Sequence, residues 1–514
     1  MKEYVFGANI LENLTTGMYQ DSKVIYREYI QNACDQIDKA RSKNLLKADE
    51  GNINIWLDAQ KRIITIEDDA TGIPEKEFVR TLGNIADSDK KQGEDKGFRG
   101  IGRLCGLAYC KELIFTTTAY GEETVSILRC DASKMRKLLS ENVHGEKHTA
   151  TEVLNSIYSF AKTKTAKKEE HWFKVELVDI NQENTALLDF EQIKEYLSFV
   201  APVPYQNTFI FKTEVYKHAE MIGHTIDEYK ISLDGEQIFK KYKTKFKTSK
   251  GEDEIFDIEF EDLYDEQKNL LGWAWIGVSK FKAVISSECK MRGIRLRKEN
   301  IQIGTSDALQ KLFSEDRGNH YFVGEVFALG KDLIPNSQRD YFNENTTKVE
   351  FEKCLKKYFR KLYRLYHDGS AINSAFAKID NYNKKEAEFN DRQVNKDFVD
   401  KEHIEKSLLE VAKAKKDAED AFLKLEKRKQ RVKDENDKIV SKVIARIEKE
   451  RNTSSSNVVE KTKVKDIAGR RVDKLSAYSK GERKLISKIF GIILKATDDK
   501  TAEMIIKKIE EELK

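Results

Sequence analysis

"YREYIQNACDQIDKA", residues 26–40, decides how the first third of the chain folds. Tyr26, Ile30, Ala33 and Ile37 recur at steps of three or four, the spacing that gathers side chains on one face of an α-helix. Glu28, Asn32 and Asp35 recur on the same spacing one step round, so an acid, an amide and a second acid share a stripe beside the apolar one. A solvated helix face has the same pattern. Which of the two it is depends on what the neighbouring sequence supplies.

Three further stretches follow within about 80 residues. "IEDDATGIP" (66–74) puts Asp68 at the end of an apolar strand and before a glycine turn, where a carboxylate can point from the sheet edge into a pocket. "TLGNIADS" (81–88) follows a short helix. "KGFRGIGRLCGLAYC" (96–110) sets Gly97, Gly100 and Gly102 before an apolar helix expected over 104–110, and glycines that open a helix expose backbone N–H groups suited to phosphate. The glycines form neither a Walker loop, since no Lys-Ser or Lys-Thr follows, nor the dinucleotide fingerprint, since no strand leads in.

The order of these elements resembles the GHKL superfamily of ATPases: gyrase B, the MutL repair proteins, the histidine kinases and the ninety-kilodalton heat-shock chaperones. "FGANILENLTTGMYQDSKVIYREYIQNACDQIDKAR" is most similar to the chaperones' first strand and two helices, and "TLGNIADS" resembles the start of their lid. The resemblance runs from residue 4 to about 118. It implies an α+β fold, with a GHKL (Bergerat) sandwich that binds ATP and Mg²⁺. Glu28 would orient or deprotonate the attacking water, and Asn32 would hold Mg²⁺ through its amide oxygen. Asp35 would lie near base and ribose, and Asp68 would accept from the adenine amino group. Gly72 would allow the close turn beneath the base, with Ile73 and Leu82 beside the nucleotide. Gly97, Phe98, Arg99, Gly100, Ile101 and Gly102 would wrap the phosphates. "DLIPNSQRDYF" (332–342) resembles the same chaperones' middle-domain catalytic loop, which implies that Asn336 and Arg339 reach the γ-phosphate.

Two positions depart from that pattern. Ala70 replaces the first glycine of the D-x-G-x-G turn, which sets a methyl beside the base. The family's Gly-Thr before the last pocket strand has no clear counterpart: "ATEV" (150–153) reads helical, and the strand "HWFKVELVDI" has no threonine.

The 514 residues are too many for one core. We expect an ATP-binding domain over 1–195 and an α/β middle, or transducer, domain over 196–347. A helical region at 348–450 should contain a coiled coil at 383–450, before a linker at 451–465 and a helical domain at 466–514. Ile404, Leu408, Val411, Ala418, Phe422, Leu425, Val432, Ile439 and Val443 trace the seam, with Lys415, Lys429 and Asn436 at skipped positions. "NTSSSN" (452–457) reads as a hinge.

Six scattered cysteines without CxxC and eight histidines without HExxH give no structural zinc site or disulfide framework. No apolar run approaches the roughly 18 residues of a membrane span, and no leader pattern opens the chain, which together predict a cytoplasmic protein without membrane contact. The expected partners are a second copy, through the coiled coil and ATP-dependent closure of the amino-terminal domains, and a protein client or dedicated partner, as in bacterial defence. A nucleic-acid clamp of the MORC or MutL type is the alternative. "KKYKTKFKTSK" (240–250) and "LEKRKQRVK" (425–433) favour that alternative, while 92 basic against 88 acidic residues disfavour it.

Overall fold

The computed structural model describes residues 6–15, 17, 21–85, 100–143, 147–395, 398, 400–458, 475 and 477–513. They divide into two compact units, one of 1–247, 254–277 and 285–361, the other of 248–253, 278–284 and 362–514.

In the first unit, α1 (Asn9–Thr15) and α2 (Val24–Ser42) precede the hairpin β1 (Asn52–Asp58) and β2 (Ile63–Asp68). Next come α3 (Glu75–Gly83), β3 (Cys110–Thr118), β4 (Thr124–Asp131), α4 (Ala132–Val143), α5 (Ala150–Ile157), β5 (Tyr158–Lys164) and β6 (Trp172–Ile180). Helices α6 (Phe190–Val200) and α7 (Lys212–Met221) lead to β7 (Lys230–Leu233) and β8 (Glu236–Gln237). The eight strands form one sheet in the order β5-β4-β3-β6-β2-β1-β7-β8. The boundary expected at 195–196 is crossed here, because β7 pairs in parallel with β1 and extends the first sheet.

Alternation decides which side chains reach the core. Ile53 and Ile55 of β1 are buried while Trp56 is 41% exposed. Ile64, Ile66 and Asp68 form the inward row of β2, so Asp68 follows two isoleucines inward and its carboxylate is buried. The apolar stripe of α2 closes over the sheet, with Tyr26, Ile30, Ala33, Cys34 and Ile37 in one cluster with the strand isoleucines. Lys39 and Arg41 in the last turn of α2 complement the negative end of its dipole. The "ATEV" segment is helix α5, fixed by a reciprocal cap between Thr149 and Glu152.

A ribbon of β9 (Lys245–Thr248) and β10 (Gly251–Glu254) is followed by β11 (Asp257–Tyr264), β12 (Leu270–Val278), β13 (Gly293–Lys298), β14 (Ile301–Ile303) and β15 (Val323–Ala328). The last five form a second sheet in the order β11-β12-β15-β13-β14. Glu325 lies fully buried in its core, ion-paired with Arg297 and accepting from Tyr205, Tyr242 (3.0 Å) and Trp275 (3.1 Å). Burial alone would raise the Glu325 pKa, but Arg297, Lys240 and the Tyr205 hydroxyl bring it down to about 2. Lys240 is the group that yields: burial, then the repulsion of Arg297, push it down to about 7, although its Nζ donates to Asn300 at 2.7 Å. Within the basic cluster at 240–250, Lys240, Tyr242 and Phe246 are buried, while Lys243, Lys245, Lys247 and Lys250 are exposed.

The second unit is helical. Helix α8 (Thr346–Val394) ends before α9 (Lys401–Asp434), and α10 (Lys438–Val458) follows after a short turn. The seam expected over 383–450 is therefore broken twice, and its segments pack on one another. Lys385 meets Glu410 at 3.5 Å and Arg431 meets Asp368 at 2.5 Å, which runs α8 and α9 antiparallel. Lys429 meets Glu448 at 2.8 Å, which does the same for α9 and α10. Ala418, Leu425, Val432 and Val443 are buried among these helices, while Leu408 and Phe422 are 48% and 53% exposed. Asn436, expected inside the seam, ends it: at φ +51° it occupies the left-handed position of the turn. The expected hinge at 452–457 belongs to α10, and 459–474 lie outside the described residues. Helices α11 (Lys480–Ala496) and α12 (Asp499–Glu512) pair around Leu475, Phe490 and Ile506.

Candidate active site

A cavity of about 470 Å³ opens between α2, the ends of β2, β3 and β6, and helix α3. On α2 the lining residues Glu28, Asn32 and Gln36 stand four apart, with Lys39 and Lys43 continuing the row toward the helix end. This is the polar stripe of residues 26–40, with one correction. Asp35 is buried but does not line the cavity: each step of four drifts about 40° round the helix toward the cavity, whereas Asp35, seven on from Glu28, falls about 20° to the other side.

The turn after β2 explains both its glycine and its departure from the family pattern. Gly72 has φ +61°, and a Cβ there would lie 1.8 Å from the Thr118 carbonyl oxygen, so only glycine fits. The Thr117 hydroxyl accepts from the Ile73 N–H at 3.0 Å and donates to the Trp172 carbonyl at 2.7 Å, which ties the turn to β3 and β6. Ala70 is fully buried in the hydrophobic cluster and is not part of the lining, so its methyl does not stand beside the pocket as expected. The Ala70 N–H donates to Asp68 at 3.2 Å. Opposite Asp68, β6 carries Phe173, which lines the cavity with Phe115 and Val175.

Ile73, Leu82, Gly100, Ile101 and Gly102 also line the cavity. Gly97, Phe98 and Arg99 lie outside the described residues. The helix expected over 104–110 is a 3-10 turn, Gly102–Ala108, and strand β3 begins at Cys110. Tyr29 anchors this turn: its hydroxyl donates to the Arg103 carbonyl at 3.0 Å and accepts from the Gly106 N–H at 3.2 Å. The Arg103 guanidinium donates to the Gly100 carbonyl at 2.9 Å and also to that of Asn84. Burial, then the charge of Glu28, keeps the Cys105 thiol well above its ordinary pKa, so it is neutral beside the glycine turn.

Arg339 reaches the same cavity from the loop after β15. It pairs with Glu28, Nε to Oε1 at 3.2 Å, and both side chains are more than nine-tenths buried. Arg27 flanks the pair, 3.6 Å from Glu28 and donating to the Gln338 carbonyl at 3.3 Å. A Cβ at Gly102 would approach Glu28 Oε2 to 2.5 Å, so the carboxylate is held between a glycine and two guanidinium groups. Asn336 has a different place from Arg339. It does not line the cavity; its backbone accepts from Arg339 N–H at 3.1 Å and its side chain pairs with Asp340 at 2.5 Å, shaping the turn in which Arg339 takes φ +54°. Sequence reasoning missed Gln36, Lys39, Lys43 and Phe173. The first three could have been found by continuing from Glu28 and Asn32 in steps of four, three and four, whereas Phe173 carries no local signal.

Residues 28–164 match the family model described as "Histidine kinase-, DNA gyrase B-, and HSP90-like ATPase". The mitochondrial heat shock protein 75 kDa of Rattus norvegicus is 35% identical over 85 residues, 16% of this chain and 12% of that protein. The chaperone protein HtpG of Wolinella succinogenes is 28% identical over 133 residues, 22% of each chain. HtpG of Psychrobacter arcticus is 26% identical over 164 residues, 28% of this chain and 25% of its own. The chain thus matches a quarter or less of the length of these relatives. The matched residues form an ATPase domain of the GHKL type, similar to those of the heat-shock chaperones, and the match supports ATP binding. No described helix is long and apolar enough to cross a membrane.

Proposed function

With an ATPase domain of this type at residues 28–164, we propose that the protein binds Mg-ATP in the cavity beneath α2 and hydrolyses it, using the cycle to clamp a protein client. The observation that carries this reading is the meeting of Glu28 and Arg339 at 3.2 Å in the cavity wall, brought together from positions 311 apart in the chain (339 − 28). An acid alone can orient water. An acid beside a guanidinium supplied by a distant loop suits phosphoryl transfer, where positioning and charge stabilisation do most of the work.

Asp68, buried at the floor, accepts from the exocyclic amine of the base, and Phe115 and Phe173 give the base an apolar wall. Gly100, Ile101 and Gly102 offer backbone N–H groups to the phosphates. Asn32 supplies a hard oxygen ligand for Mg²⁺. No cluster of three or more carboxylate, histidine or cysteine ligands occurs among the described residues. That fits an ion held by one side chain, phosphate oxygens and water. When bound, the ion neutralises charge on the β- and γ-phosphates. Glu28 aligns the attacking water and takes up its proton, and Arg339 stabilises charge on the transferring group.

Closure of two copies around a client would couple this chemistry to work. The helical seam of the second unit is occupied within one chain, so the self-association we propose rests on the ATPase domains. The nucleic-acid alternative keeps the exposed lysines of the 240–250 cluster in its favour, but Arg428 and Arg431 of the second basic cluster are engaged by Asp368.

Calorimetric titration with ATP together with phosphate release tests the assignment. Asp68→Asn should lose nucleotide binding, while Glu28→Ala should keep binding and lose hydrolysis, because one residue recognises the base and the other acts on water. Equal loss of binding in both variants would sink it.

A further inference from the structure

Gln36 lines the cavity two turns of α2 beyond Glu28 and has no task in the reaction proposed for it. At a rise of 1.5 Å per residue it stands about 12 Å along the helix axis from Glu28, with Asn32 halfway between them. A nucleotide whose phosphates lie at Glu28 and Asn32 therefore brings its base, not its charges, to the level of Gln36.

One hydrogen bond holds Gln36 at that end of the cavity. The Thr71 hydroxyl donates to Gln36 Oε1 at 2.8 Å, and Thr71 is the third residue after Asp68, in the turn that contains Gly72. Thr71 is buried and lines the cavity together with Gln36 and Asp68. The bond ties the amide of α2 to the Asp68 side of the cavity, and it sets the way the amide faces. A hydroxyl has a single hydrogen to give. The other acceptor within reach of Thr71, the Gly72 carbonyl, is farther away at 3.0 Å. With Oε1 taken up by Thr71, the two hydrogens on Gln36 Nε2 are left over. Among the described residues no protein group accepts them.

The chemistry around the base calls for such a donor. An ionised Asp68 can only accept, the Thr117 hydroxyl is spent on the Trp172 carbonyl at 2.7 Å, and the facing strands line the cavity with Phe115, Phe173 and Val175. An aminopurine presents two groups side by side, an exocyclic amine that donates and a ring nitrogen that accepts. Asp68 serves the first and Gln36 is placed to serve the second. Once a base covers Gln36, an unpaired N–H would be desolvated without compensation, so a base that lacks the ring nitrogen is penalised by more than a missing contact.

We propose that Gln36 is a specificity-determining residue of the nucleotide site, whose amide N–H donates to the ring nitrogen beside the exocyclic amine of the base, and that Thr71 is the positioning residue that orients it. This assignment rests on the nucleotide site proposed for the cavity. Asp68 and Gln36 together then select a base in which a donor and an acceptor adjoin.

Calorimetric titration of the full chain with ADP, 1-deaza-ADP and 7-deaza-ADP tests it, because each analogue exchanges one of the two ring nitrogens that flank the amine for a C–H. One analogue should bind the parent about fivefold or more weakly than ADP, the weight of one hydrogen bond between neutral groups. In Gln36→Leu that analogue and ADP should bind alike, since the donor has gone. Thr71→Val keeps the shape and loses the hydroxyl, so it should narrow the same gap and leave the other analogue unchanged relative to ADP. Residues that merely shaped the cavity would shift all three nucleotides together. Gln36 is partly exposed on its helix, so its leucine variant keeps the fold even where the buried Thr71 change does not. ADP binding by the parent with no gap between analogues, or with a gap that survives Gln36→Leu, overturns the proposal and leaves the nucleotide site standing. A parent that binds neither ADP nor ATP overturns the nucleotide site itself.

Discussion

Replacing Gly102 by alanine is the most direct test of how closely the cavity holds Glu28, the residue proposed to act on water. The added Cβ would lie 2.5 Å from Glu28 Oε2 and 3.5 Å from its carboxyl carbon. An unstrained carbon–oxygen approach is close to the 3.5 Å at which non-bonded atoms attract, so the carboxylate must retreat by roughly 1 Å. It cannot retreat freely, because Arg339 at 3.2 Å and Arg27 at 3.6 Å hold its other oxygen. A misplacement of about 1 Å at a reacting group costs on the order of 10²-fold in rate, or about 2.7 kcal/mol in the barrier. The Gly102 backbone is not in the left-handed region, so alanine brings no conformational strain of its own. Asp68 and the base wall are untouched, which keeps the ATP affinity within about threefold of the parent. Single-turnover hydrolysis at saturating ATP reads the rate, and calorimetry reads the affinity. A Gly102→Ala enzyme as fast as the parent would show that Glu28 is not confined by the glycine. A loss of affinity matching the loss of rate would place the methyl against the nucleotide instead.

Arg339→Ala should lower single-turnover hydrolysis while leaving ATP affinity nearly unchanged, and Arg339→Lys should recover only part of the rate, because it keeps the charge and loses the fork; an unimpaired alanine variant would remove the loop from the chemistry. Gly72→Ala should lower the urea midpoint of the first unit, since the left-handed conformation alone costs an alanine about 1–2 kcal/mol and the Cβ would overlap the Thr118 carbonyl at 1.8 Å; an unchanged midpoint refutes the turn geometry. Lys240 sits among Arg297, Glu325, Glu228, Tyr205 and Tyr242, with a pKa depressed to about 7 from 10.5. Between those values the unfolded chain holds the proton and the folded chain does not, so this residue adds stability as pH rises from about 7 toward 10.5, with a slope of at most about 1.4 kcal/mol per pH unit. Lys240→Met should flatten that slope in urea unfolding at pH 7 and 9, and an undiminished slope would assign it elsewhere.

The proposed nucleotide site was legible because its residues obey local periodicities. Steps of four place Glu28 and Asn32 on one line, and steps of two carry Asp68 inward behind Ile64 and Ile66. The glycine at 72 was readable as a turn, and its positive φ and contact with Thr118 show why no other residue serves. What could not be read depends on distance in the chain. Phe173 faces Asp68 only because β6 pairs with β2, and no motif near residue 173 announces that pairing. Ala70 looked like an intrusion into the pocket because sequence gives the residue but not the side to which its Cβ turns.

The helical unit shows the same limit more sharply. A run of apolar residues at steps of three and four states that a helix has a partner, not which helix that is. Four of the nine expected seam positions, Ala418, Leu425, Val432 and Val443, are buried, and Leu408 and Phe422 are exposed. The partner of the seam, however, is the same chain. Two features made the chain turn back. Asn436 adopts a left-handed conformation that a helix interior does not tolerate, and Asp437 then caps the next helix by accepting from the Ile439 and Val440 N–H groups at 3.1 and 3.0 Å. Of the polar positions at skipped steps of the seam, Lys429 is matched inside the chain by Glu448, and the neighbouring Arg431 finds Asp368. An intermolecular coiled coil over this stretch would have to break those pairs and straighten the turn at Asn436. Against those losses it would bury the apolar residues that α9 leaves exposed, Leu408, Leu409, Phe422 and Leu423.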